Sequence, residues 1–141
     1  MLVTKKTNQM ANYVLDSYAL LAFFRNEKSA DTISQMLTET AEGKHHLYMS
    51  YINVGEVFYM AYRKDGPAKA ALVWKAMHQF PISLIEIDSI HTLKAAIIKA
   101  QYKLSFADAF AATLTITKKA TLITGDAEFN VLLSEIGRAH V

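Results

Sequence analysis

Short apolar runs alternate along the chain with longer stretches in which apolar residues recur at helical spacing. Tyr13 to Leu15 reads as a strand, and SYALLAFF, which follows Asp16, reads as a helix. Asp31 to Glu42 places Ile33, Met36 and Leu37 on one helical face. Leu47 to Met49 is the second predicted strand, and Ser50 is placed to cap a helix running through Lys64. Gly66-Pro67 opens a helix carrying Leu72, Val73, Ala76, Met77 and Phe80. Leu84 to Ile87 reads as strand, a helix from Asp88 or Ser89 extends to about Tyr102, another helix starts near Phe106, and Ala120 to Thr124 is again strand. Such alternation predicts an α/β fold, a parallel sheet with helices on both faces. In these sheets ligands bind outside the carboxyl ends of the strands. Two acids fall there, Asp16 at the end of YVLD and Asp126 at the end of LITGD.

Two of the predicted helices are apolar nearly all round yet carry an acid. In KLSFADAFAATLTI, residues 103–116, Asp108 lies near the helix start. An unpaired buried carboxylate costs on the order of several kcal/mol. Ser105 followed by Asp108 also resembles a capping box, with the acid near the positive end of the helix dipole. In SYINVGEVFYMAY, residues 50–62, the polar interior residues are Asn53 and Glu56, whose spacing puts them on a shared face. Gly55 between them costs roughly 1 kcal/mol relative to alanine, which predicts a close backbone approach. Taken singly, Asp16 suits a helix N-cap and Asp126 a turn. Four acids in apolar surroundings repel one another unless a cation neutralises them. Mg²⁺ or Mn²⁺ is the economical choice, since hard divalent ions prefer carboxylate and water oxygens.

Composition narrows the picture further. The 141 residues suffice for one domain with a sizeable core, assigned to 12–135, with 1–11 as a polar leader. Residues 136–141, ending GRAHV, read as a C-terminal tail and a candidate for added residues. Cysteine is absent, which excludes disulfide frameworks, thiolate zinc sites and cysteine nucleophiles, and suits a reducing cytoplasm. The apolar runs fall far short of the roughly 20 residues that span a bilayer, so no membrane is expected. A net charge of +2 does not by itself announce a nucleic-acid partner. With the four acids set aside, however, the 15 Lys and Arg residues clearly outnumber the remaining acids. Candidate phosphate contacts are Arg25, Lys28, Arg63, Lys64, Lys118 and Lys119, against a plainer reading as solvated surface. His45, His46, His78, His91 and His140 lack metal-ligand spacing and read as loop or surface histidines. Tyr48, Tyr51, Tyr59, Met60, Tyr62, Trp74 and Met77 read mostly as core.

YVLDS (13–17), INVGEVFY (52–59), LSFADAFAAT (104–113) and LITGDAEF (122–129) resemble, in order and spacing, the four acidic motifs of PIN domains, particularly VapC-type toxins of toxin-antitoxin pairs. The resemblance implies a three-layer α/β/α fold with a central, mostly parallel sheet of four or five strands. It implies a Mg²⁺- or Mn²⁺-dependent ribonuclease in which Asp16, Glu56, Asp108 and Asp126 form the catalytic and metal site. Ser17 and Thr124 match hydroxyls that orient those acids, and Arg25, Lys28, Arg63 and Lys64 are the candidate RNA contacts. An antitoxin protein and a second copy of the chain are the implied partners. Such domains finish with a strand after the TGD helix, and the ending VLLSEIGRAHV departs from that pattern. Two other readings stand beside this one. A phosphohydrolase with an aspartyl nucleophile would place a second acid two residues after the first, where this chain has Tyr18. A non-catalytic α/β binding module would be indifferent to Mg²⁺ and Mn²⁺.

Overall fold

A computed structural model of the chain describes residues 10–124 together with the backbone of 137–140. In chain order the elements are β1 (Ala11–Leu15), α1 (Ser17–Phe24), α2 (Ala30–Ala41), β2 (His45–Ser50), α3 (Tyr51–Asp65), α4 (Pro67–Gln79), β3 (Ser83–Ile85), α5 (Ser89–Gln101), α6 (Phe106–Thr117), β4 (Thr121–Thr124) and β5 (Gly137–His140). The strands form one sheet in the order β3-β2-β1-β4-β5, and every neighbouring pair is parallel. Residues 1–9 of the expected leader lie outside the described residues, and Ala11 already opens β1.

The pleat assigns alternate side chains to opposite layers. Tyr13, Leu15, Leu47, Met49 and Ile123 share a cluster with residues of α1 to α4, such as Leu20, Ile33, Val57 and Met77. Val14 and Leu122 pack instead with Leu104 and with Ala111, Ala112 and Leu114 of α6. Both faces are therefore covered, which is why the strands read as unbroken apolar runs rather than as alternating patterns. Among the described residues no helix is long and apolar enough to cross a membrane.

Four helices begin on the residue types that satisfy orphan amides. Asp16, Ser50, Asp88 and Ser105 accept from the backbone N–H of Ala19, Ile52, His91 and Asp108 respectively. Each such cap contributes about 1 kcal/mol. Gly66, at φ 89°, turns α3 into α4 in a conformation other residues resist, and Pro67 starts α4 where its missing N–H does no harm.

Several expectations need revision. Gly137–His140 are not a tail outside the fold: their backbone adds β5 beside β4, and nothing in the pattern of GRAH signals it, because pairing is supplied by the open edge of β4. His45 is not in a loop but in β2, buried, with Nε2 3.2 Å from the Met36 carbonyl and its ring edge-on to Tyr13. Strand alternation turns His46 to the exposed side. Among the described residues Gly55 makes no close approach, since a Cβ there would meet nothing within 4 Å. Of the expected core aromatics, Tyr59, Tyr62 and Trp74 are 41–49% exposed, whereas Met77 is fully buried.

Candidate active site

The sheet order creates the crevice. From β1 the chain moves outward through β2 to β3, then returns to place β4 on the other side of β1. Ligands in open α/β sheets bind at such a switch point, outside the carboxyl ends of the flanking strands. Asp16 directly follows β1 and Thr124 ends β4, and both are buried. The Asp16 N–H points to the Ile123 carbonyl at 3.5 Å, which ties the two strand ends together. Asp16 Oδ1 accepts from the Ala19 N–H at 2.8 Å, so one carboxylate oxygen serves as the cap expected of it.

Asn53, with no exposed surface, connects three helices at that crevice. Its Nδ2 donates to Ser17 Oγ and to the Ala107 carbonyl, both at 3.2 Å. Ser17 Oγ in turn donates to the Asn53 carbonyl at 3.2 Å. The first turns of α1, α3 and α6 are thereby held against one another. Ser17 adjoins Asp16, Ala107 adjoins Asp108, and Glu56 follows Asn53 by one helical turn. The node thus ties together the backbone segments that carry Asp16, Glu56 and Asp108. The three helix N-termini there also carry partial positive charge, which offsets carboxylates placed among them. Asp108 is 8% exposed and Glu56 is half-buried. The cap of α6 comes from Ser105 Oγ, which accepts from the Asp108 N–H at 3.1 Å, so it is the backbone of Asp108 that the serine engages.

The donor set suits a hard divalent cation in type, being made of carboxylate oxygens at a sulfur-free crevice. Asn53 Oδ1 adds a buried neutral oxygen that accepts no hydrogen bond among the described residues, an arrangement costly enough to call for a compensating partner. Among the described residues no three His, Asp or Glu groups come close enough to hold a metal by themselves. Asp126, the fourth expected acid, lies outside the described residues. Ser17 is engaged by Asn53, a role its sequence position does not reveal, and Ala107 could not have been singled out at all, because it takes part through its carbonyl.

The expected phosphate contacts divide. Arg25, Arg63 and Lys64 line one cavity of about 330 Å³ together with Met60. Lys28 is exposed in the α1–α2 connection and does not line it. Lys118 caps the Tyr48 ring at 4.8 Å and, with Lys119, follows α6 just before β4, at the end of the sheet away from the acids. Tyr18, where an aspartyl phosphohydrolase would carry its second acid, is 53% exposed.

The PIN domain family model matches residues 13–132. No curated protein matches the chain by sequence. Among solved structures, VapBC2 from Rickettsia felis, bound to a DNA fragment from its promoter, is 13% identical with a TM-score of 0.71, over 92% of this chain and 98% of that one. VapC20 from Mycobacterium tuberculosis, described as a sarcin-ricin loop cleaving toxin, is 13% identical with a TM-score of 0.71, over 92% and 99%. VapBC-1 from nontypeable Haemophilus influenzae is 17% identical with a TM-score of 0.68, over 92% and 97%. At these identities the likeness establishes the fold.

Proposed function

The chain belongs to the PIN domain family, and from that membership we propose that it is a metal-dependent endoribonuclease, the toxin of a type II toxin-antitoxin pair. The observation that supports the reading is the Ser17–Asn53–Ala107 node at the switch point of the sheet, whose members are sequence neighbours of Asp16 and Asp108 and lie one helical turn from Glu56. Asp16, Glu56, Asp108 and Asp126 would hold Mg²⁺ or Mn²⁺. When bound, such an ion lowers the pKa of a coordinated water and neutralises charge on the phosphate. The protein's part is to fix the acids: Asp16 is held by its cap bond to Ala19, and the α3 and α6 backbones are held by Asn53. Hydrolysis then forms a bond from water oxygen to phosphorus and breaks the bond from phosphorus to the 3′ oxygen, which leaves as a hydroxyl.

The relatives' structures as toxin-antitoxin complexes support an antitoxin partner for this chain, and we place its seat over the acids and the surface between α2 and α4. Exposed apolar side chains at Ile90, Leu93 and Ile97 of α5 support self-association, most simply as a twofold dimer.

The test is cleavage of single-stranded RNA with Mg²⁺ or Mn²⁺, and with EDTA. Products should carry 5′-phosphate and 3′-hydroxyl ends, and EDTA should abolish them. Ends bearing 2′,3′-cyclic phosphate would mean attack by the RNA's own 2′-hydroxyl and would sink the mechanism.

A further inference from the structure

The acids and the cationic cavity occupy opposite ends of one pair of helices. Ser17 and Asn53 join the starts of α1 and α3, and Arg25, Met60, Arg63 and Lys64 meet where α1 ends and α3 nears its end. The two helices therefore run side by side in the same direction. At about 1.5 Å per residue, the eight residues from Ser17 to Arg25 and the seven from Asn53 to Met60 both cover roughly 10–12 Å. Asn53, Glu56, Met60, Arg63 and Lys64 follow one another at i, i+3, i+7, i+10 and i+11, a single stripe of α3 leading from the acids to the cavity.

The three cations are not consumed by the protein's own charges. Among the described residues none of them forms an ion pair, although Glu27 and Asp65 are close in sequence. The C-terminal ends of α1 and α3 supply roughly half a negative charge each, about one unit against three positive ones. About two positive charges are left facing a cavity of about 330 Å³. Two of the three are guanidinium groups, whose fork matches phosphate oxygens.

We propose that this cavity seats a backbone phosphate of the RNA strand, a few nucleotides from the bond being cleaved. The inference rests on the ribonuclease reading given above. A polyanion that crosses a cluster of acids is repelled there, and a cationic seat in line with the cluster restores attraction and sets the direction in which the strand lies. The seat thus contributes to substrate affinity and strand register, while the chemistry stays with the acids.

The test uses a fluorescent single-stranded RNA oligonucleotide in EDTA, with binding followed by anisotropy across a salt series. Each phosphate contact on a single strand contributes about 0.7 to the slope of log K against log salt. The variant Arg25→Gln/Arg63→Gln/Lys64→Gln should lower that slope by about 0.7, the share of the one seated phosphate, and weaken binding at least tenfold at low salt. A charge-matched variant on exposed positions elsewhere, Lys69→Gln/Lys75→Gln/Lys99→Gln, should leave the slope within about 0.2 of wild type. With Mn²⁺, the cavity variant should raise KM for RNA cleavage more than it lowers kcat. Should the triple variant fail to fold, as judged by circular dichroism, Arg25→Gln alone should weaken RNA binding at low salt at least threefold and lower the slope in the same direction. A wild type that cleaves RNA and a cavity variant with unchanged slope and KM would overturn the seat alone. Tighter binding of an acidic polyglutamate peptide than of RNA, lost in the cavity variant, would also overturn it, in favour of a protein partner. A wild type that neither binds nor cleaves RNA would overturn the ribonuclease reading and the seat together.

Discussion

Asn53→Asp is the smallest change that tests the node, since it exchanges one amide NH₂ for an oxygen in a side chain with no exposed surface. Both donor bonds are lost, to Ser17 Oγ and to the Ala107 carbonyl. Each is worth about 0.5–1.5 kcal/mol net, so the pair accounts for about 1–3 kcal/mol. The new carboxylate is also buried near Asp16 and Asp108, which adds a desolvation and repulsion cost of a few kcal/mol. The expected loss at pH 7.5 is about 3–5 kcal/mol, a large part of the roughly 5–15 kcal/mol that holds a domain folded. The pH dependence has a definite sign. Burial and like charge raise the new group's pKa in the folded protein, so the ionisation penalty is absent below the unfolded value of about 3.9. It grows as pH rises from there through the folded value and is constant above it. Urea unfolding in EDTA, followed by fluorescence of Trp74, the sole tryptophan, should therefore show a smaller loss at pH 5 than at pH 7.5. Asn53→Leu, which loses the same bonds but also removes the unsatisfied Oδ1, should cost less than Asn53→Asp. An Asn53→Asp protein within about 1 kcal/mol of wild type at pH 7.5 would refute the claim that this residue organises the site.

Asp108→Asn should leave the EDTA-treated protein at least as stable as wild type, because it relieves repulsion, and should abolish the Mn²⁺-induced rise in Tm. A loss of up to about 1 kcal/mol with the metal response intact would assign the carboxylate to the helix dipole alone. Gly55→Ala should stabilise by about 0.5–1 kcal/mol in chemical denaturation, since the added Cβ enters open space within α3, and a destabilised variant would contradict that geometry. Burial, with Glu39 adding to it, raises the Tyr13 pKa above 10.0, so its contribution is full below pH 10 and is lost as pH climbs through the folded value. Tyr13→Phe should accordingly hold its Tm to higher pH than wild type on the alkaline limb, and coincident limbs would count against the assignment.

Much of this protein is legible in the sequence, because the signals concerned are local. Periodicities of 2 and 3.6 depend on neighbours a few residues apart, which is why α1 to α6 and β1 to β4 lie where the pattern placed them, within a few residues at their ends. The caps at Asp16, Ser50 and Ser105 were readable for the same reason, each bond spanning two or three residues. What tertiary structure alone decided is everything that needs distant segments to meet. β5 exists through the free edge of β4, not through any propensity in GRAH. The alternation that buries His45 and exposes His46 took effect only once β2 was seated between β1 and β3. Gly55 is costly to a helix wherever it occurs, and only the open space around α3 shows that no backbone among the described residues approaches to compensate it. Asn53 could be seen to share a face with Glu56, but its bonds to Ser17 and Ala107 cross 36 and 54 residues. Arg25 likewise joins Arg63 and Lys64 only because α1 and α3 pack side by side. Such contacts carry no local signature, since a hydrogen bond or a shared cavity between remote residues depends on the packing of whole elements and not on the residues beside it.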